Sequence, residues 1–344
     1  MKPYQLWHRG LLLVLLTLLG LAKALADPTY VLKFATLAPE GTSWMNVINA
    51  WAAQVEKASN GRLEFKIYPG GVMGDEPDML REIRLGELQG AAFTGHGIGE
   101  IYSPARVLEV PFLFHNYAEV DYVRGKLLPQ IRQGFYRHGF VLLGFMDTGF
   151  IYIFSSAPVP SLNALRTHRV WMWEGDPLER AFFDASGVPP VPLALPDVYT
   201  SLSTGLVNTV MAPPFGAIAL QWFTKTPYMT NMPIADGTGA LLVTRQFFDS
   251  LPRDLQTILL NTGDAAGKAI IEATRIDNER SLAVLKAHGV SFLPPFTDMS
   301  PAELTAIRQK AAASLEKSGY IPAIIYAQAK QDLAKFQTRH VAAQ

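Results

Sequence analysis

Alternation of strand-type and helix-type segments constrains the fold of this chain more than any other feature. The strand-type segments lie at 30–36, 63–68 and 90–94 in a first block and at 169–173, 191–193 and 207–212 in a second. The helical segments between them begin at capping residues such as Thr42, Asp75 and Asp176. Strands that alternate with helices favour a mostly parallel sheet with helices on its faces. The sequence therefore predicts an α/β fold in two blocks, roughly 27–149 and 150–237.

A long helix-compatible stretch follows the second block, from about Pro252 to His288. At ~1.5 Å per residue, a continuous helix here would extend for more than ~50 Å. That length is enough to lie across both blocks. The alternative is two shorter helices broken near Thr262-Gly263.

The N-terminus has the pattern of a cleavable export signal. Lys2 and Arg9 precede an apolar stretch at 11–22, and Ala24-Leu25-Ala26 has the small-x-small form that signal peptidase recognises. The apolar stretch is short for a membrane span, which needs ~20 residues. The sequence predicts a signal peptide over 1–26, cleavage after Ala26 and a periplasmic protein; an uncleaved anchor is the alternative.

Charge and cysteine content exclude several classes of protein. The chain has 30 basic and 30 acidic residues and no cysteine. The predicted signal segment holds three of the basic residues and no acid, which leaves the mature chain with a net charge of about −3. This balance argues against nucleic acid as a partner, which calls for clustered positive charge. The absence of cysteine excludes a disulfide framework, a thiolate metal site and a cysteine nucleophile.

Motifs of catalysis and of cofactor binding are absent from the sequence. It contains no Walker loop, no HExxH and no GxSxG elbow, and its histidines lack metal-ligand spacing. The glycine-rich segment 94–99 follows a strand without GxGxxG spacing, and we interpret it as a loop where backbone approaches another group closely. We therefore expect no cofactor, no metal and no enzyme activity.

The segment 169–177 (RVWMWEGDP) carries the most specific chemical pattern. On a strand, residues two apart share a face, so Arg169, Trp171 and Trp173 would point one way. At the carboxyl end of a sheet, where ligands bind in open α/β folds, the two indoles would stack on an apolar or planar ligand. The alternative is that they pack into the core. Glu174 would accept a hydrogen bond from the ligand or remain a solvated charge.

Short motifs in a fixed order resemble one protein family. They are NGR at 60–62, YPGG at 68–71, MGDE at 73–76, LGEL at 85–88, VPFLF at 110–114 and VYTSLSTGLV at 198–207. Together they resemble the DctP-type family, the extracytoplasmic solute receptors of tripartite ATP-independent periplasmic (TRAP) transporters. The resemblance covers nearly the whole predicted mature chain.

The resemblance implies a two-domain periplasmic binding protein, type II-like, with an inter-domain cleft and a long helix across both domains. Domain I would comprise 27–149 and 238–282, and domain II 150–237 and 283–344. The receptor would close on a small organic solute and deliver it to the integral membrane subunits of a TRAP permease. A binding protein of another uptake or sensing system, and a periplasmic enzyme on a similar scaffold, are the competing interpretations.

Departures from the family pattern bear on the ligand. Family members usually carry an arginine that pairs with the ligand's carboxylate, and that position aligns with Trp171. A shift of the alignment by two residues would restore Arg169, which would then hold a carboxylate. A second frequent arginine aligns with Ile151, and a polar D-G-x-E-N stretch is replaced by NTVMA at 208–212. The chain thus resembles a subgroup that lacks the usual ligand-binding arginine.

We therefore predict a ligand with an apolar or aromatic body, either neutral or bearing an amine. An unpaired carboxylate in a closed cleft would cost about 2–5 kcal/mol. The predicted ligand-binding residues are Trp44, Phe93, Thr94, Phe150, Trp171, Trp173, Glu174, Tyr199 and Phe215.

Overall fold

The computed structural model describes residues 29–341, so the predicted signal peptide lies outside the described residues. The centre of the protein is one mixed sheet. Its strands are β1 (Tyr30–Thr36), β2 (Leu63–Tyr68), β3 (Gly90–Thr94), β4 (Phe140–Ser155), β5 (Val170–Trp173), β6 (Pro190–Leu193), β7 (Thr209–Ala212), β8 (Tyr228–Thr244) and β9 (Ser291–Leu293). Their order in the sheet is β2-β1-β3-β8-β4-β7-β5-β6, and β9 pairs with β8 at one end. This mixed α/β architecture confirms the predicted fold class.

The sheet has two parallel halves joined by two long strands. In the first half, β1 pairs in parallel with β2 and β3; in the second, β5 pairs in parallel with β6 and β7. The strands β4 and β8, of 16 and 17 residues, are antiparallel partners that run between the halves. Strand β3 pairs with β8 at one end of this ribbon, and β7 pairs with β4 at the other.

One strand differs from its sequence pattern. The two apolar runs within 140–155, separated by Asp147-Thr148-Gly149, form the single strand β4. The polar residues mark an irregularity in the pairing with β8, where the register shifts between Asp147 and Gly149. Gly149 has a φ of +91°, which L side chains rarely adopt. A bulge of this kind bends a strand without ending it.

Twelve helices cover the sheet over the described residues. They are α1 (Ser43–Ala58), α2 (Glu76–Arg84), α3 (Gly95–Tyr102), α4 (Tyr117–Arg137), α5 (Leu162–Leu165), α6 (Pro177–Ser186), α7 (Val198–Thr204), α8 (Pro214–Ala219), α9 (Arg245–Ser250), α10 (Arg253–Ala287), α11 (Pro301–Lys317) and α12 (Ala323–Val341). The predicted caps act as such: the side chains of Thr42, Asp75 and Asp176 accept backbone N–H groups of the helices that they precede.

Helix α10 is continuous over 35 residues, so the alternative of a break near Thr262-Gly263 is wrong. Glycines account for its close approach to β4. A Cβ atom added at Gly263 or Gly267 would overlap Leu143 or the backbone of Gly144 and Phe145. The helix therefore lies directly on the long strands that join the two halves of the sheet.

The glycine-rich segment after β3 is a helix and not the loop expected from its composition. Thr94 precedes α3, and Glu76 accepts the backbone N–H groups of Thr94 and Gly97 at its N-terminus. The expected close approach does occur, because a Cβ at Gly95 would overlap the Glu109 carboxylate and one at Gly99 would overlap the Tyr320 hydroxyl.

The predicted domain boundaries at residues 149/150, 237/238 and 282/283 stay a prediction. Within 29–341, no helix combines the length and the apolar character needed to cross a membrane.

Candidate ligand-binding site

A cavity of about 180 Å³ lies where both halves of the sheet meet the long strands. Strand β3 ends at Thr94, opposite Gly239 of β8, and β7 ends at Ala212, opposite Tyr152 of β4. Because the halves attach to opposite edges of the β4–β8 ribbon and run in opposite directions, both carboxyl ends point toward its middle. Open α/β sheets bind ligands at the carboxyl ends of their strands. The topology therefore places a cleft over the middle of β4, which holds Asp147 and Ile151.

Four tryptophans line this cavity: Trp44 from α1, Trp171 and Trp173 from β5, and Trp222 from the second half. The ring of Trp171 lies 5.6 Å from that of Trp173 and 5.2 Å from that of Trp222, centroid to centroid. Trp171 donates its indole N–H to the Leu193 carbonyl, and Trp44 donates to Thr274. Since the indole N–H groups of Trp44 and Trp171 are bonded within the protein, these two side chains present apolar ring surface to the cavity.

Trp173 also joins the two halves. Its indole N–H donates to Asp75 Oδ2 at 2.8 Å, and the same oxygen accepts the backbone N–H of Leu195 at 3.1 Å. Asp75 belongs to the first half and caps α2, whereas Trp173 and Leu195 belong to the second. This carboxylate therefore links the walls of the cleft directly.

A buried ion cluster forms one corner of the cavity. Arg106, 4 % exposed, donates through Nε to Glu109 at 2.6 Å and through Nη1 to both oxygens of Asp176 at 2.7 Å. Tyr320 contacts the same Nη1 at 3.1 Å. Two carboxylates thus compensate this guanidinium, which gives the corner no excess of positive charge.

His96 lines the same corner and stacks on Trp173, with ring centroids 5.1 Å apart. Its Nδ1 lies 3.5 Å from Asp176 Oδ2, and its buried Nε2 has no hydrogen-bond partner in the part of the chain that the structure describes. Burial lowers the pKa of His96, but the bond to Asp176 and the charges of Glu76 and Asp176 raise it overall. Burial acts against the Asp176 charge, yet Arg106 and His96 hold the pKa of Asp176 well below its usual range.

Other acids near this corner have raised pKa values. Burial raises the pKa of Glu76 to about 7, against the opposing effect of His96. Burial, together with repulsion by Asp176, raises the pKa of Glu179 to about 8. Glu179 lines the cavity from the first turn of α6 and accepts the backbone N–H of Trp173. Both carboxyls therefore titrate near neutral pH.

A second polar group lies on the middle of β4. Asp147 lines the cavity and is 1 % exposed. Its Oδ2 accepts from Arg275 at 2.7 Å and from Arg124 at 3.3 Å, and Asp121 bonds to both of these arginines. Its Oδ1 has no hydrogen-bond partner within residues 29–341.

The structure places the predicted ligand-binding residues in three environments. Trp44, Thr94, Trp171 and Trp173 line the cavity. Three others do not line it: Phe93 is fully buried, the ring of Phe150 lies 4.9 Å from that of Tyr117, and the ring of Phe215 lies 4.6 Å from that of Trp44, centroid to centroid. Glu174 and Tyr199 are exposed outside it.

Trp171 and Ile151, the two positions that the predicted alignment matches to arginines of the family, both line the cavity. Arg169 does not line it; that side chain is exposed, and its Nε donates to the Gly205 carbonyl at 2.9 Å. Strand β5 begins at Val170, after Arg169.

Sequence reasoning missed Arg106, Glu109, Asp147, Glu179 and Trp222. Asp147 separates two apolar runs in the sequence, and in the structure it lies at a bulge of β4. Arg106 and Glu109 are three residues apart in a short 3-10 helix, Ser103–Glu109, within an apolar sequence. Two opposite charges at that spacing in an apolar segment are a signal that could have been used, because charges are buried in pairs.

Comparisons with known proteins agree with this geometry. The sequence model of the family described as bacterial extracellular solute-binding protein, family 7 (DctP), matches residues 34–320. The chain is 25 % identical over 277 residues to the C4-dicarboxylate-binding periplasmic protein DctP of Rhodobacter capsulatus. That alignment covers 78 % of this chain and 80 % of the relative.

Solved structures share the fold. The sugar acid binding protein DctPAm of Advenella mimigardefordensis, in complex with galactonate, superposes with a TM-score of 0.81 at 19 % identity and covers 90 % of this chain and 99 % of its own. A TRAP periplasmic solute binding protein of Desulfovibrio salexigens, with bound orotic acid, gives a TM-score of 0.80 at 19 % identity, covering 89 % and 99 %. At this identity the likeness concerns the fold.

Proposed function

Because this chain belongs to the DctP family of bacterial extracellular solute-binding proteins, we propose that it captures a small organic solute with an apolar or aromatic body. One observation carries the proposal. Tryptophans from both halves of the sheet line one cavity, and the arginine in its wall, Arg106, is paired with two carboxylates. The cavity of about 180 Å³ is slightly larger than the ~150 Å³ cavity that holds benzene in another protein. The solute would therefore be about the size of one ring with a short substituent.

The proposed mechanism is closure on the solute. A ligand shifts a protein from open to closed only by contacting both sides better in the closed state. Trp44 on one wall and Trp171 on the other supply such contacts. The moving bodies would be the predicted domains, 27–149 with 238–282 and 150–237 with 283–344, and β4, β8 and α10 run between them.

The proposed setting is the periplasm. The chain would be exported by the signal peptide over 1–26, cleaved after Ala26, and would hand its solute to the membrane subunits of a TRAP permease. The signal pattern and the family support this setting. For the same two reasons we propose that the chain is a binding protein and not an enzyme.

A carboxylate-bearing solute is the second candidate. The relatives above are named for a C4-dicarboxylate or contain galactonate or orotic acid. Such a solute would need a cationic partner in the cavity. Arg169 is exposed elsewhere and Arg106 is paired with two carboxylates, which leaves His96 Nε2 for that role.

A thermal-shift screen of the purified protein tests the proposal. The library should contain aromatic and aliphatic compounds in matched neutral, ammonium and carboxylate forms. At equal concentration, the ligand with the lowest Kd stabilises the protein most. We therefore expect the largest stabilisation from compounds with a planar apolar ring, because these should bind most tightly between the tryptophans. Tight binding of a C4-dicarboxylate, with no response to aromatic compounds, would refute the aromatic solute and favour the second candidate.

The best compound of the screen then locates the site. Trp171→Ala should weaken its binding by about 2 kcal/mol or more, measured by calorimetry, because a central buried aromatic contact is lost. Tyr199→Ala is the matched control, since that ring is exposed and outside the cavity. Circular dichroism checks that both variants fold. Equal affinity of the Trp171 variant and the wild type would remove Trp171 from the site.

A further inference from the structure

One carboxylate of the cavity wall has an oxygen without a hydrogen-bond partner among the described residues. Asp147 is 1 % exposed, lines the cavity, and leaves Oδ1 without a hydrogen bond over the described residues. A buried carboxylate oxygen without a donor is costly, so buried acids in proteins are usually bonded throughout. This atom is therefore a candidate for contact with the solute.

The other acids of the cavity are more fully engaged. Asp176 accepts from Arg106 with both oxygens and from the amides of Leu178 and Glu179. Glu109 accepts from Arg106 with one oxygen and from the amide and hydroxyl of Thr238 with the other. Glu179 accepts from the amide of Trp173. Within residues 29–341, Asp147 alone among these four has a buried oxygen with no bond.

The charged groups around Asp147 include one acid more than guanidinium groups. Helix α4 contributes Arg124 and Asp121, α10 contributes Arg275, and β8 contributes Asp236, whose buried oxygens have no bonds within residues 29–341. Burial and the nearby charge of Asp147 hold the pKa of Asp236 well above its usual value, and burial also raises the pKa of Asp147. A cation beside Asp147 would favour the charged forms of both acids.

We propose that Asp147 Oδ1 receives a protonated amine of the bound solute, so that the receptor selects small amines with an apolar or aromatic body. The ammonium group would donate to Oδ1 at the middle of β4, while the body of the solute lies against Trp171 and Trp173. The ring faces of these tryptophans attract a cation as well. This inference rests on the proposed function and adds the charge of the solute to it.

Three probes that share a 2-phenylethyl body test the inference by calorimetry on the wild-type protein: 2-phenylethylammonium, 2-phenylethanol and 3-phenylpropanoate. We expect the ammonium to bind about tenfold or more tightly than the alcohol, since a charge-assisted hydrogen bond to a buried carboxylate is gained. The propanoate should bind most weakly, because it would bring a like charge to Asp147. This comparison needs no variant.

Asp147→Asn should remove the advantage of the ammonium over the alcohol and leave the affinity for the alcohol within about twofold. Asp121→Asn is the matched control, because it takes a carboxylate from the same two arginines without lining the cavity. The control should keep the order of the three probes. Circular dichroism and a thermal melt establish that both variants fold.

Each alternative result has a distinct meaning. Tighter binding of the propanoate than of the ammonium would overturn the amine inference but leave the aromatic solute standing. An ammonium preference that persists in folded Asp147→Asn would overturn the role of Asp147. Absence of binding by all three probes would count against the proposed function itself and, with it, against this inference.

Discussion

Asp176 and Glu179 lie three positions apart at the start of α6, yet their carboxyls have opposite pKa shifts. Arg106 and His96 contact Asp176, and they hold its pKa low although burial acts the other way. Burial and, after it, the charge of Asp176 raise the pKa of Glu179 to about 8, and the one backbone N–H that it accepts lowers this pKa only in part. The identity of the partner, and not the residue type, sets the charge of each acid.

This difference predicts how stability depends on pH. A carboxyl whose folded pKa is raised above its unfolded value of about 4.5 stabilises the fold below that value and loses the contribution as pH rises through the folded pKa. Glu179→Gln should therefore reduce the fall in unfolding free energy between about pH 5 and pH 8.5. Urea unfolding of the variant and the wild type at the two pH values measures this difference in unfolding free energy.

Burial also raises the pKa of Glu76, to about 7, so part of the fall in unfolding free energy should remain in the Glu179→Gln variant. Parallel pH profiles of the variant and the wild type would show that Glu179 does not carry the predicted shift.

At the scale of elements, three glycines decide how α10 lies on β4. Gly144 of β4 meets Gly263 and Gly267 of α10 so closely that a Cβ on any of them would overlap the other element. Helix propensity favours alanine over glycine by ~1 kcal/mol, so these glycines are a cost to the isolated helix. Close packing against the long strands offsets that cost.

Gly267→Ala should therefore destabilise the protein by about 1–3 kcal/mol, as overpacking of a tight contact does. Gly125→Ala in α4 is the matched control: Gly125 has open space around its Cα, and the change should stabilise by about 0.5–1 kcal/mol. Urea unfolding of both variants gives the comparison. If both substitutions stabilise the protein equally, α10 and β4 are not packed as closely as these glycine contacts indicate.

On the scale of the whole molecule, Asp75 bonds the two walls of the cleft directly to each other. It accepts Trp173 Nε1 and the Leu195 amide, both from the opposite half. Hydrogen bonds to a charged group contribute about 1.5–3 kcal/mol each. A bond of this size is comparable to the free-energy gap of a few kcal/mol between open and closed states.

Asp75→Ala should shift the ligand-free protein toward open conformations, seen as a larger radius of gyration in small-angle X-ray scattering. Asp298→Ala is the matched control, since Asp298 also accepts two amides, those of Leu162 and Asn163, but within the second half. The control should keep the wild-type radius. An unchanged radius in Asp75→Ala would mean that other contacts hold the cleft closed.

The sequence by itself determined the local elements and the family. Period-two and helical patterns, capping residues and short motifs predict β1 to β3, the strand of the two tryptophans and the 35-residue helix, because each depends on neighbours in the chain. Only the tertiary structure decided the polar site. Arg106 meets Asp176 across 70 positions and Arg275 meets Asp147 across 128, and pairings at such distances follow from how the sheet is connected. The strand pattern correctly put Trp171 and Trp173 on one face, but which partners their indoles find was decided by the opposite wall of the cleft.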